Sequence, residues 1–207
     1  MLFLANFDPL LIILYTLAFI VAVSVHEANH AFVATALGDD TPRLAGRLSL
    51  NPMRHVDKTG ILFFILAGFG WGWTPVNPQN LRPNPRIGNA IVAIAGPVAN
   101  LGLALLCSML LRANLDLPPL ANQFLGAAAL LNLLLFVFNL IPIPPLDGFT
   151  VLLGLLPTKL ANTLRGLERY GLGLLFALLI LPSFLGFDIV GILFRIFARA
   201  FGISGPR

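Results

Sequence analysis

Two histidines four residues apart, with a glutamate after the first, interrupt an otherwise apolar run: His26-Glu27-Ala28-Asn29-His30. On a helix this spacing puts both imidazoles on one face, one turn apart. Both ring nitrogens then reach a single Zn²⁺ at about 2.0–2.1 Å, and the glutamate faces the activated water instead of ligating. The chain has 3 histidines in all, so a chance assembly of the pattern is rare. Ionisable side chains inside an apolar span are costly unless partnered, which makes them functional by default.

A hydrolytic zinc site takes three protein ligands and keeps a fourth position open for water. Glu168 lies between Arg165 and Arg169 and reads as part of a solvated face. Asp8, Asp39, Asp40, Asp116 and Asp188 fall in loops or at span ends. Asp147 differs: it follows Pro142-Ile143-Pro144-Pro145-Leu146 directly, where prolines break an apolar run, and Gly148 comes next. It is the favoured third ligand, since a ligand trio must meet at one membrane depth. His55, a loop histidine near Asp57, is the competitor.

The elements that must carry these residues read as membrane helices. Of the residues, 57% are hydrophobic and 11% charged, and the mean hydropathy is +0.89. Soluble domains carry about a quarter charged residues, so the balance points to lipid. The net charge of +4 comes from 13 basic residues scattered in short loops, which suits headgroup contact and excludes a nucleic-acid-binding block. The single cysteine, Cys107, excludes a disulfide framework. The N-terminus lacks a basic n-region and does not read as a cleavable signal.

Spans are expected over Pro9–Leu37, Ile87–Leu111 and Ala121–Ile141, with Gly171–Phe187 a fourth and Ile189–Phe201 a tilted or interfacial helix. Alternation through Arg43–Leu50 predicts a short strand. Gly60–Trp73 is apolar but brief and glycine-rich, which predicts a re-entrant or interfacial segment. The expected fold class is an all-α polytopic membrane protein of about 4–6 transmembrane helices, with a short β segment and a re-entrant element, forming one domain over residues 1–207.

The motifs resemble the site-2 protease family of intramembrane zinc metalloproteases, in its short form without accessory domains. The resemblance rests on His26-Glu27-x-x-His30-Ala31, Gly96-Pro97-Val98-Ala99-Asn100, and Asn139-Leu140-Ile141-Pro142 through Leu146-Asp147-Gly148. Gly46-Arg47-Leu48-Ser49-Leu50-Asn51-Pro52, with His55 and Asp57, and Pro75-Val76-Asn77-Pro78 extend it. It implies that His26, His30 and Asp147 bind one zinc ion and that Glu27 is the general base. It further implies that Asn100 and Asn139 line the site, Asn139 either steadying an oxyanion or making an interhelical hydrogen bond.

Orientation tests whether the ligands meet. Arg43, Arg47, Arg54 and Lys58 follow the first span and no basic residue precedes it, so the loop belongs in the cytoplasm. His30 lies about 12 Å of helix before Gly38, in the cytoplasmic half. If Gly60–Trp73 dips in and returns, Asp147 emerges on the same side as His30. If it crosses, the ligands are separated. The expected function is hydrolysis of peptide bonds within or near transmembrane segments of membrane proteins, in the plasma membrane of a prokaryote. The bilayer is then the second partner, and the Arg43–Leu50 strand a template for extended substrate. An inactive zinc-binding scaffold or carrier is the alternative, and Glu27 argues against it, because binding alone needs no base. A di-iron hydroxylase or desaturase needs many more histidines than the 3 present.

Overall fold

In the computed structural model, residues 8–55, 57–113, 115–185 and 188–203 are described. Helix α1 (Pro9–Ala36) starts where Asp8 accepts a hydrogen bond from Leu10 N at 2.9 Å and Pro9 fills the first turn. Helix α4 (Pro85–Arg112) starts the same way on Asn84 and Pro85, and α5 (Pro119–Asn139) follows. Between α1 and α4 lie a single turn, α2 (Thr41–Leu44), and α3 (Lys58–Ala67). After α5 come α6 (Asp147–Leu155), α7 (Thr158–Arg165), α8 (Gly171–Leu185) and α9 (Ile189–Ala200). Helices α1, α4 and α5 are each long and apolar enough to cross a membrane. At 15 residues, α8 measures about 22 Å, short of the hydrocarbon thickness of about 30 Å.

The core forms where α1, α4 and α5 pack together. Ala18, Ala104, Ala127, Ala128 and Ala129 are buried there beside Phe19, Leu133 and Phe136. Small side chains there allow close backbone approach between the three helices. Helix α9 leans on α5, with the Phe136 and Phe197 rings edge to face at 5.4 Å.

The strand expected over Arg43–Leu50 is not there. Thr41–Leu44 is a helical turn with Pro42 in its first turn, and Gly46 follows at φ +68°, which reverses the chain. The alternation instead reflects a loop whose Leu44 and Leu50 are 79% and 70% exposed. No strand occurs among the described residues.

Gly60–Trp73 does double back. Asp57 caps α3 by accepting from Thr59 N (2.8 Å) and Gly60 N (3.0 Å), and Gly68 ends it at φ +78°. The chain then returns beside the helix: the Phe63 and Trp71 rings lie 5.3 Å apart, and Trp73 N donates to His55 O at 3.4 Å.

Both loops flanking this hairpin are tied to one end of α1. Asp39, fully buried, accepts from Asn77 N (2.7 Å), Asn80 Nδ2 (3.0 Å) and Thr41 N (3.1 Å). Burial opposes its ionisation, yet these donors and the Thr41 hydroxyl outweigh that and hold the carboxyl below its ordinary value. Arg82 N donates to Leu37 O at 2.9 Å, and Arg47 Nη1 to Trp73 O at 2.8 Å.

Candidate metal centre

His26, Glu27 and His30 occupy the buried face of α1, each no more than 8% exposed. Asp147 arrives from the other end of the chain. After α5 the prolines forbid continued helix, a tight turn closes with Leu146 N donating to Ile143 O at 2.9 Å, and α6 begins at Asp147. Arg86 Nη1 donates to Leu156 O at 2.9 Å, which ties the far end of α6 to the start of α4.

One ligand atom from each of His26, His30 and Asp147 lies within 4.8 Å of the other two. The Nε2 atoms of His26 and His30 are 2.9 Å apart, and Asp147 Oδ2 is 3.0 Å from the first and 3.4 Å from the second. A tetrahedral ion with bonds of about 2.0–2.1 Å needs edges of about 3.3 Å, so the trio fits with shifts of a few tenths of an ångström.

The hydrogen-bond partners assign the tautomers. His30 Nδ1 lies 2.8 Å from Val92 O, a carbonyl that only accepts, so that nitrogen carries the proton. His26 Nδ1 lies 2.6 Å from Asn100 Oδ1 and is protonated for the same reason. In the neutral imidazoles both Nε2 atoms therefore turn lone pairs toward Asp147 Oδ2, which is buried with no hydrogen-bond partner of its own. Three acceptors facing one another without a proton between them suit a cation, and the His₂-carboxylate set suits zinc.

Two glycines make the approach possible. A Cβ on Gly96 of α4 would stand 2.5 Å from His30 Nε2 and 2.7 Å from His26 Nε2. A Cβ on Gly72, in the returning segment after α3, would stand 2.7 Å from Glu27 Cγ and 3.0 Å from Glu27 Oε1. That segment is also held by Thr74, whose hydroxyl donates to Glu27 O at 3.1 Å. Glu27 is thus covered by the hairpin and opens onto a cavity of about 1240 Å³. Its walls are mostly apolar, among them Trp71, Phe138 and, from α8, Leu172 and Phe176.

Asn139 lines the same cavity and donates to Leu135 O of its own helix at 3.0 Å. His55 is not in the trio: its Nε2 bonds to Ser49 O, within its own loop. Asn100 contacts His26 directly. The residue the motifs passed over is Asn132, fully buried on α5, whose Oδ1 accepts from Asn100 Nδ2 at 2.7 Å. It is the only polar residue between Gln123 and Asn139 in an apolar span, and that isolation is the signal that marks it.

Known proteins bear on this site. The family model for Peptidase family M50 matches residues 118–181, which include Asp147. "Putative zinc metalloprotease YwhC" of Bacillus subtilis is 40% identical over 172 residues, covering 79% of this chain and 78% of that protein. "Putative zinc metalloprotease Rip2" of Mycolicibacterium smegmatis is 34% identical over 178 residues, covering 83% and 68%. Its namesake from Mycobacterium tuberculosis is 31% identical over 196 residues, covering 86% and 74%. No solved structure matches.

Proposed function

Because this chain belongs to peptidase family M50, the site-2 zinc metalloproteases, we propose that it hydrolyses peptide bonds within or beside the transmembrane segments of other membrane proteins. The observation that carries this reading is the convergence of His26, His30 and Asp147 beside Glu27, on a buried face of a membrane-length helix. In this reading residues 1–207 form one protease domain in a prokaryotic plasma membrane. The 39–58 and 74–86 loops face the cytoplasm, and α8 adds a fourth, short membrane segment along the cavity.

His26, His30 and Asp147 would hold one zinc ion through Nε2, Nε2 and Oδ2, and a zinc ion there would supply Lewis acidity toward water and the scissile carbonyl. Glu27 takes the proton from the attacking water and returns it to the leaving amine. In this reading Asn139, on the cavity wall, donates its remaining amide hydrogen to the oxygen on which charge develops. The mostly apolar cavity receives a substrate helix, which must unwind locally because its own hydrogen bonds shield each peptide group. The α3 hairpin dips into the membrane from the cytoplasmic side and covers the base, keeping bulk water from it.

The direct test is proteolysis by the purified chain in liposomes, with a fluorescent single-span peptide as substrate. Cleavage that a zinc chelator abolishes and added zinc restores supports the reading. Zinc bound without cleavage of any single-span peptide in a varied panel would favour a scaffold instead.

A further inference from the structure

We infer that Asn132 is a positioning residue for His26, acting through Asn100, in a relay that runs from the backbone of α5 to the metal-binding nitrogen. The inference rests on the zinc reading above.

The relay begins at a fixed point. Asn132 Nδ2 donates to Ala128 O at 2.8 Å, and a backbone carbonyl only accepts, so the Asn132 amide has a defined orientation. Its Oδ1 therefore faces Asn100 and accepts from Asn100 Nδ2 at 2.7 Å. Asn100 Nδ2 also donates to Ala22 O at 3.0 Å. Both of its amide hydrogens are spent, one on each acceptor. Flipping the Asn100 amide would set its carbonyl oxygen against two other oxygens. Asn100 Oδ1 is thereby held toward His26 Nδ1, 2.6 Å away, and His26 is left with its lone pair on Nε2, pointing at His30 and Asp147.

The relay is buried throughout: Asn100 and Asn132 are each 0% exposed. Water cannot replace a lost partner there, so each bond bears on orientation more strongly than it would at a surface. The relay also joins three helices, α1, α4 and α5, at the depth of the metal site. Interhelical glue alone would need only the contact between Asn100 and Asn132. The ordered polarity from carbonyl to imidazole is what a metal ligand requires, since a ligating histidine donates its other ring N–H to an acceptor that fixes tautomer and ring plane.

The test is a double-mutant cycle on zinc affinity, measured on the full chain in detergent by competition with a chromophoric chelator. Asn132→Leu should weaken zinc binding about 10-fold, at the lower end of outer-shell effects. In an Asn100→Ala background the same change should weaken it no further, because the path to His26 is already cut. Equal losses in both backgrounds would mean general helix glue and would overturn the inference, as would an unchanged affinity in Asn132→Leu. Asn132→Asp, protonated in the core, keeps one acceptor and one donor and should restore most of the affinity. If the leucine variant does not fold, Asn132→Ala serves the cycle. The wild-type chain offers a readout independent of any variant: ¹⁵N imidazole shifts should show His26 protonated at Nδ1, and an Nδ1 without a proton would overturn the relay. Absence of zinc binding by the wild-type chain would count against the metal reading, whereas zinc bound without response to Asn132 counts against the relay alone.

Discussion

Gly96 sits directly against His30: a side-chain carbon at position 96 would lie 2.5 Å from His30 Nε2, the atom that faces Asp147. Helix α4 can come this close to the histidine pair only without a Cβ. Gly96→Ala should therefore displace the imidazoles and lower zinc affinity by at least about 10-fold. On the same helix Gly102 faces open space, and a Cβ there would meet nothing within 4 Å. Gly102→Ala should leave zinc and cleavage unchanged and raise thermal stability by up to about 1 kcal/mol. Equal zinc affinity in the two variants would show that the close approach does not matter.

Ligand identity separates three histidines that are all buried. His26→Ala, His30→Ala and Asp147→Ala should each abolish stoichiometric zinc, read by metal analysis of the purified protein. His55→Ala should retain it, because the His55 ring bonds to Ser49 O in its own loop. Its expected effect is a loss of stability of about 1–3 kcal/mol from a vacated buried site. Zinc lost in His55→Ala and kept in Asp147→Ala would exchange their roles.

Asp39 links pH to the docking of the 74–82 loop. Its folded-state pKa is lowered from 3.8 because, although burial opposes the charge, hydrogen bonds from Thr41, Asn77 and Asn80 favour it. A lowered folded-state pKa contributes stability that is fully present above the unfolded value and lost as pH falls through the folded one. Thermal unfolding should thus show wild type ahead of Asp39→Asn by about 2 kcal/mol at pH 7, with the gap closing below pH 3.8. A gap that is constant with pH would rule out the carboxylate's charge as its cause.

Much of the site is legible in the sequence because its signals are local. His-Glu-x-x-His fixes a helical face by itself, and the prolines before Asp147 announce a break after which its carboxylate meets the two histidines. The Arg43–Leu50 alternation misleads, since period two in a loop carries no ladder to enforce it, and Gly46 in the left-handed region turns the chain away. Asn132 shows the opposite limit. Its partner Asn100 lies 32 residues away, so no spacing rule connects them, and only the packing of α4 on α5 brings them together. The α3 hairpin falls between: length and glycine content foretell a reversal, but its cover over Glu27 depends on Gly72, one glycine among several in that segment.

The proposed topology requires both loops on one face. Met53 is 80% exposed and Gln79 is exposed too, and the loops that carry them are joined through Asp39–Asn77 and Arg47–Trp73. Single cysteines at these two positions, in a Cys107→Ala background, should both react with an impermeant thiol reagent applied from the cytoplasmic side. Labelling from opposite sides would mean that α3 crosses the membrane, and His30 and Asp147 could not then share an ion.

If three residues hold the zinc and a fourth activates the water, Glu27→Gln separates the two tasks. The substitution keeps size and hydrogen bonding but removes the base. Zinc content and cleavage of a single-span peptide are to be measured on the same purified sample. Zinc stoichiometry should match the wild type and the cleavage rate should fall by about 10²–10⁴-fold. Cleavage at the wild-type rate by zinc-loaded Glu27→Gln would contradict that division of tasks.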